Sequence, residues 1–286
     1  MIQRTFIVGG EWIYFKIYSG PKTIENIFIN DIMREVNLFI EKGIVDSYFF
    51  IRYMDPNYHL RLRLHCSNID NYGYILHSIY KSLNCYVQDL IITKVQLDTY
   101  SRELERYEGD EIVCFEKIFY YDSCFVTKCL KKINCMDQDR YKIVMRFIDS
   151  IMDLCGFNLD EKISFTEKNC KAYFLEIYQS NNLVGNILNS EYRKVRNEME
   201  KCLNAYDKYC WWHKEIKKCV YLMGSVPKNV LLNHKNELSS VIHMHVNRMY
   251  RINQRTAELV IYWYLNKYYR SKKALFDYQK ENSSYL

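Results

Sequence analysis

At 286 residues the chain is long enough for one large domain or two closely packed ones. Hydrophobic residues make up 49% of it against only 9 glycines and 3 prolines, which argues for a compact globular protein without linkers. The net charge of +6 arises from 40 bases and 34 acids spread along the chain, so no basic block marks a nucleic-acid partner.

No apolar run approaches the roughly 18 residues of a membrane span. Eleven cysteines, an odd number without CxxC pairs, and no charged-then-apolar leader predict reduced thiols in a cytoplasmic protein.

Residues 11–18 alternate, with Trp12, Tyr14, Lys16 and Tyr18 against Ile13, Phe15 and Ile17, and predict a strand. After the loop Ser19-Gly20-Pro21, residues 24–42 carry helical spacing at Ile29, Ile32, Met33, Val36 and Ile40, and Gly43 stops the helix. The stretch 48–65, YFFIRYMDPNYHLRLRLH, predicts a hairpin around Asp55-Pro56-Asn57. Its second strand has a leucine face (Leu60, Leu62, Leu64) and a basic face (His59, Arg61, Arg63, His65). Residues 69–83 predict a weaker helix and residues 90–100 a further strand.

The order β-α-β-β-α-β is the ferredoxin-like arrangement, in which the strand after the hairpin turn is central and both helices cover one sheet face. The other face then holds Trp12, Tyr14, Lys16, Tyr18, His59, Arg61, Arg63, Gln96 and Tyr100. Arginines two apart on a strand place their guanidinium forks about 7 Å from each other, a spacing suited to carboxylate or phosphate oxygens. The plain alternative is a solvated strand face.

Beyond Tyr100 the chain predicts helices over 110–132, 138–155, 189–223, 236–251 and 254–269, with no repeat and no low-complexity segment. The fold class is therefore α+β: a ferredoxin-like sheet part over 1–100 and a mainly helical part over 101–286, within a single domain. Glu103 and Arg106 stand three apart, which by itself predicts only a local ion pair. In SSVIHMHVNRMY, His243 and Asn247 share one helix face, and His245 and Arg248 lie together on another. A histidine beside apolar residues is more often a core residue than a catalyst. Cys202, Cys210, His213 and Cys219 match no zinc spacing, and there is no P-loop, dinucleotide fingerprint or nucleophile elbow.

Three stretches together carry a resemblance: FFIRYMDPNYHLRLRL (49–64), TYSRELERYEG (99–109) continuing into EKIFYYDS (116–123), and HMHVNR (243–248). They resemble the C-terminal domain of lantibiotic dehydratases, also called the thiopeptide-type bacteriocin biosynthesis domain. The family usually continues Arg-Tyr-Gly-Gly where this chain has Arg106-Tyr107-Glu108-Gly109, so Glu108 is a departure. The resemblance implies a stand-alone glutamate-elimination domain spanning 1–286, which converts glutamylated Ser or Thr of a ribosomally made precursor peptide to dehydroalanine or dehydrobutyrine. Implied partners are that peptide and a separate glutamylating subunit, with no direct nucleic acid and no membrane; a homodimer is left open. A sister branch performs the [4+2] cycloaddition that forms the thiopeptide pyridine ring.

β-Elimination needs a ligand for glutamate, a base for the α-hydrogen and stabilisation of the enolate-like oxygen. The departing carboxylate calls for a cation more than for an acid. The resemblance assigns elimination to Arg61, Arg63, Glu103, Arg106 and His243, with Glu103 orienting an arginine or holding the glutamyl ammonium group. His243 is the expected general acid/base, and His245 or a tyrosine are the alternatives. Arg52, His59, Tyr14, Tyr107, His245, Asn247 and Arg248 are expected to bind substrate. This chemistry requires no metal and no redox cofactor. In the family pattern elimination enzymes carry the set whole and cycloaddition enzymes lose much of it; a catalytically idle peptide-binding subunit is a third reading.

Overall fold

The computed structural model describes residues 2–133, 139–179, 182–204 and 211–283. The chain divides into two compact units, one formed by Met1–Cys135 with Ser225–Ile252 and the other by Met136–Gly224 with Asn253–Leu286.

The first unit is built on a four-stranded antiparallel sheet of β2 (Trp12–Tyr18), β3 (Ser47–Met54), β4 (Tyr58–His65) and β5 (Lys94–Asp98). The spatial order is β3-β4-β2-β5, so β4 lies inside, between β3 and β2. A second, two-stranded sheet pairs β1 (Thr5–Phe6) with β6 (Tyr100–Ser101). Register places Leu60, Leu62 and Leu64 opposite Ile17, Phe15 and Ile13, and all six are nearly or fully buried. That apolar face meets the helical connections: α1 (Pro21–Ile27), a π turn at Phe28–Ile32, α2 (Met33–Glu41) and α3 (Tyr72–Gln88). Phe28 of the π turn packs on Phe50, with ring centroids 4.5 Å apart. The opposite face carries His59, Arg61 and Arg63 opposite Tyr18, Lys16 and Tyr14.

α4 (Ile112–Ile133) follows β6 and lies with the sheet. So do α9 (Val230–Asn233) and α10 (Leu238–Met249), which return to this unit from far along the chain. An edge strand exposes unpaired backbone groups, and β3 has them covered by side chains. Asn247 of α10 accepts from the Arg52 amide at 2.8 Å and donates to the Arg52 carbonyl at 2.9 Å, which continues the ladder with an amide side chain. Arg248 Nε donates to the Phe50 carbonyl at 2.8 Å, so two neighbours on α10 grip successive outward-facing positions of one strand.

The second unit holds α5 (Arg140–Leu154), α6 (Leu159–Tyr178), α7 (Asn182–Asn204), α8 (Trp211–Gly224) and α11 (Gln254–Ser283). Asn158 begins α6 with a capping box, its side chain accepting from the Glu161 amide while the Glu161 side chain accepts from the Asn158 amide. α11 runs along α6 and is pinned by Asn266, whose amide donates to the Ile163 carbonyl. A buried polar knot joins Asp149, Lys162 and Tyr269, with Lys162 Nζ 2.6 Å and the Tyr269 hydroxyl 2.8 Å from Asp149 Oδ1. The helix expected over 189–223 is described as α7 and α8; residues 205–210, with Cys210 among them, and Gln138 lie outside the described residues. Among the described residues no helix is long and apolar enough to cross a membrane.

Candidate functional site

The basic face of β4 gives Arg63 an unusual environment. Its guanidinium carbon lies 4.2 Å from the centroid of the Tyr14 ring, 5.0 Å from that of Tyr100 and 5.2 Å from that of Phe49. Among the described residues no carboxylate comes within 4.0 Å of it, and its buried Nε has no hydrogen-bond partner. Aromatic faces offset part of the lost hydration, by about 0.5–2 kcal/mol each. Burial still lowers the Arg63 pKa, opposed by Tyr14 and Tyr100 and reinforced by Arg61. An arginine stays charged despite such a shift, so the result is a desolvated cation lacking an anion.

Arg63 opens into a pocket of about 80 Å³ shared with Phe49, Ile51, Tyr100, Ser101, Glu103, Arg106, Tyr107, Ile112, Phe119, Met244 and Arg248. The structure therefore brings Arg63, Glu103, Arg106, Tyr107 and Arg248 to one place. Glu103 and Arg106 form an exposed ion pair of 2.9 Å at the mouth. They also line an adjoining open groove with Arg4, Ser101, Arg102 and Glu105. Tyr107 is buried against Phe115 and Phe119, and burial pushes its hydroxyl up to about 12. At neutral pH it keeps its proton, which suits it to donate a hydrogen bond and not to act as a base.

Arg61 lies two residues back on the same face, flat on the Tyr53 ring at 3.5 Å from its centroid. Its Nε donates to His59 Nε2 at 3.1 Å, while His59 Nδ1 donates to the Asn57 carbonyl at 2.8 Å. Burial lowers the His59 pKa, the Asn57 hydrogen bond opposes this, and Arg61 and Lys16 add to the lowering. His59 is therefore neutral at pH 7 and orients Arg61. Tyr14 serves as a wall beneath Arg63.

The remaining expected residues are placed differently. Arg52 faces the helix-covered side of the sheet, where it is 1% exposed and paired with Glu25 at 2.6 Å; Arg251 holds the other Glu25 oxygen at 2.8 Å. Arg52 Nε also donates to the Arg248 carbonyl. Asn247 is engaged with the Arg52 backbone as described above. His245 is fully buried, with Nδ1 donating to Asp122 Oδ1 at 2.6 Å, and Arg248 Nη1 donates to Asp122 Oδ2 at 2.7 Å. Burial tends to raise the Asp122 pKa, but His245 and Arg248 outweigh it and hold the carboxyl below its ordinary value. His243 is half-buried on α10. It stands about 100° round the helix axis from Met244 of the pocket wall and shares its face with Asn247, which grips β3.

Sequence reasoning passed over the groups that hold the site in shape. Glu116 of α4 accepts three hydrogen bonds of 2.7 Å, from the Tyr100 hydroxyl and from Arg102 Nε and Nη2. That buried clamp fixes the strand from which Glu103 departs and turns the Tyr100 ring toward Arg63. The signal was present: Glu116 and Asp122 are acids among the apolar positions Phe115, Ile118, Phe119 and Val126 of one helix.

The sequence profile described as lantibiotic biosynthesis dehydratase, C-terminal, matches residues 12–269. Nisin biosynthesis protein NisB of Lactococcus lactis subsp. lactis is 27% identical over 279 residues, 95% of this chain and 26% of that protein. The chain spans about a quarter of the length of the curated relatives it matches. In structure it resembles the tRNA-dependent lantibiotic dehydratase MibB from Microbispora sp. 107891, with a TM-score of 0.69 and 16% identity over 93% of this chain and 28% of that one. It also resembles TbtD, the pyridine synthase from thiomuracin biosynthesis, with a TM-score of 0.62 and 11% identity over 90% of this chain and 97% of that one. At such identities the structural likeness speaks for the fold alone. With the family profile running through nearly the whole sequence, the chain belongs to the lantibiotic biosynthesis dehydratase C-terminal family.

Proposed function

We propose that this chain eliminates glutamate from glutamylated serine or threonine of a precursor peptide, leaving dehydroalanine or dehydrobutyrine. The observation that carries the reading is Arg63, a desolvated guanidinium in an aromatic cage, without a carboxylate partner among the described residues and open to a pocket. A cation held that way gains most from an anion that arrives dry, and a glutamyl carboxylate is such an anion. The β-α-β-β-α-β succession and the order β3-β4-β2-β5 support a ferredoxin-like reading of the sheet.

In the proposed reaction a base removes the α-hydrogen and the electron pair forms the Cα–Cβ double bond. The Cβ–O bond breaks as that double bond forms, and its electron pair leaves with glutamate as a carboxylate. Arg63 and Arg61 take up the charge of the departing group, and Arg106, steered by Glu103, binds a second glutamate oxygen. His243 is proposed as the base. His245 has no solvent exposure and is tied to Asp122, and the Tyr107 hydroxyl is too weak an acid to be ionised at neutral pH. The precursor peptide and a glutamylating component are the proposed partners.

Cycloaddition is the competing reading, favoured by the likeness to TbtD along 97% of that chain. The sequence carries the whole Arg61, Arg63, Glu103, Arg106 and His243 set, and Arg63, Glu103 and Arg106 of it line the pocket, which supports elimination over it. Arg63→Ala and His243→Ala, each assayed with the glutamylating component, are expected to accumulate glutamylated peptide. Dehydration that proceeds unchanged in both variants would remove the assignment. Release of leader peptide from an already dehydrated substrate would replace it with cycloaddition.

A further inference from the structure

Beside the segment that carries Glu103 and Arg106 sits a cluster unrelated to the elimination chemistry. His234 follows α9 and Glu237 precedes α10, held three residues apart by a turn in which the Glu237 amide donates to the His234 carbonyl at 3.1 Å. Glu108 and Glu111 come from the start of the connection into α4. His234 Nε2 lies 2.5 Å from Glu111, while Nδ1 lies 3.3 Å from Glu108 and 3.9 Å from Glu237.

These distances separate two kinds of contact. A carboxylate oxygen 2.5 Å from Nε2 occupies that side of the ring, which leaves Nδ1 facing two further carboxylates. The Nδ1 separations lie beyond the roughly 2.7–3.2 Å of a nitrogen–oxygen hydrogen bond, one narrowly and one clearly. They bracket the edge of about 3.4 Å that two donors make around a tetrahedral ion at ~2.1 Å from each. One donor atom from each of Glu108, His234 and Glu237 falls within 4.8 Å of the other two. A carboxylate on the far nitrogen of a metal-binding histidine is the usual device for orienting it, and Glu111 stands there. The nearby Lys228 lies 3.7 Å from Glu111 and 3.2 Å from Asp110, so it neutralises the outer side of the cluster. Among the described contacts it makes none with Glu108 or Glu237.

The geometry points to a divalent-metal site, suited to zinc, with His234 Nδ1, Glu108 and Glu237 as ligands and Glu111 orienting the histidine. One histidine nitrogen with two carboxylates leaves a fourth position for water. Glu108 takes its place in the left-handed backbone region at φ 48°, one residue before Gly109 at φ 67°. Bound metal would join the segment bearing Glu103 and Arg106 to the turn that starts α10, so it acts as a staple within this unit and not as a reagent.

The test uses the full chain freed of metal by chelation and then titrated with Zn²⁺ by calorimetry, with Co²⁺ as the spectroscopic probe. One equivalent of Zn²⁺ is expected per chain, together with a rise in melting temperature. The Co²⁺ spectrum should show d–d bands without a thiolate charge-transfer band, which separates this site from the cysteines. His234→Ala and the near-isosteric Glu237→Gln should each abolish that equivalent, and Glu111→Gln should weaken it about 10- to 100-fold. No Zn²⁺ binding by the wild-type chain, or equal binding in folded Glu237→Gln, overturns the site and leaves His234 as a side chain packed among carboxylates. A thiolate signature for the bound Co²⁺ overturns it as well.

Discussion

The Asp122 network makes the sharpest energetic prediction. Asp122→Asn keeps the shape of the side chain and removes one negative charge from between Arg248 and His245, which sit 2.7 and 2.6 Å away. All three side chains are at most 1% exposed, so water screens little and the buried arginine loses the Asp122 charge 2.7 Å away. Breaking such a buried pair from one side costs about 3–5 kcal/mol. At a urea dependence of about 2–3 kcal/mol per molar, the unfolding midpoint should fall by about 1–2 M. Near- and far-ultraviolet circular dichroism should report the shift together, because Arg248 ties α10 to the β3 edge through the Phe50 carbonyl. The Asp122 carboxyl titrates below its ordinary value in the folded chain, so the stability it contributes is present above the unfolded pKa of ~3.9 and is lost as pH falls through the folded one. The gap between wild type and variant should therefore hold at pH 7 and pH 5 and shrink below about pH 4. A midpoint within about 0.3 M of wild type at pH 7 would refute the claim that this network anchors α10.

Asn247→Ala removes both side-chain bonds to the Arg52 backbone and should cost about 1–3 kcal/mol, measured by urea unfolding. Glu103→Gln touches only a pair that is 48% and 64% exposed, so stability should move by less than about 1 kcal/mol while turnover of glutamylated peptide collapses. Arg63→Met replaces a desolvated cation without a carboxylate partner, so its melting temperature should equal or exceed that of wild type. Its calorimetric affinity for a glutamylated peptide should fall at least tenfold.

Much of the sheet could be read directly. Alternation placed Leu60, Leu62 and Leu64 on one face and Arg61 and Arg63 on the other, and the register bears this out, because period-two patterning survives wherever one face is buried. α6 went unread although Asn158 and Glu161 spell its capping box. Its buried positions, Lys162, Thr166, Cys170 and Tyr173, have helical spacing but little apolar character. Tertiary partners supply the rest of that face: Lys162 is neutralised by Asp149, and Thr166 donates to the Lys162 carbonyl. The candidate site divides in the same way. Arg63, Glu103 and Arg106 were legible as charges at chosen spacings, and they line one pocket. Arg52 and Asn247 stand on motifs as suggestive as theirs, yet face Glu25 and a strand edge. Sequence spacing sets which side of an element a residue occupies, whereas the element packed against that side decides what the residue does.

The most direct measurement mixes this purified chain with a synthetic peptide carrying one glutamylated serine and follows its mass. The account predicts loss of one glutamic acid, leaving dehydroalanine, with wild-type protein and no loss with Arg63→Ala. An unchanged peptide mass with wild-type protein, or equal loss with the Arg63→Ala chain, would contradict it.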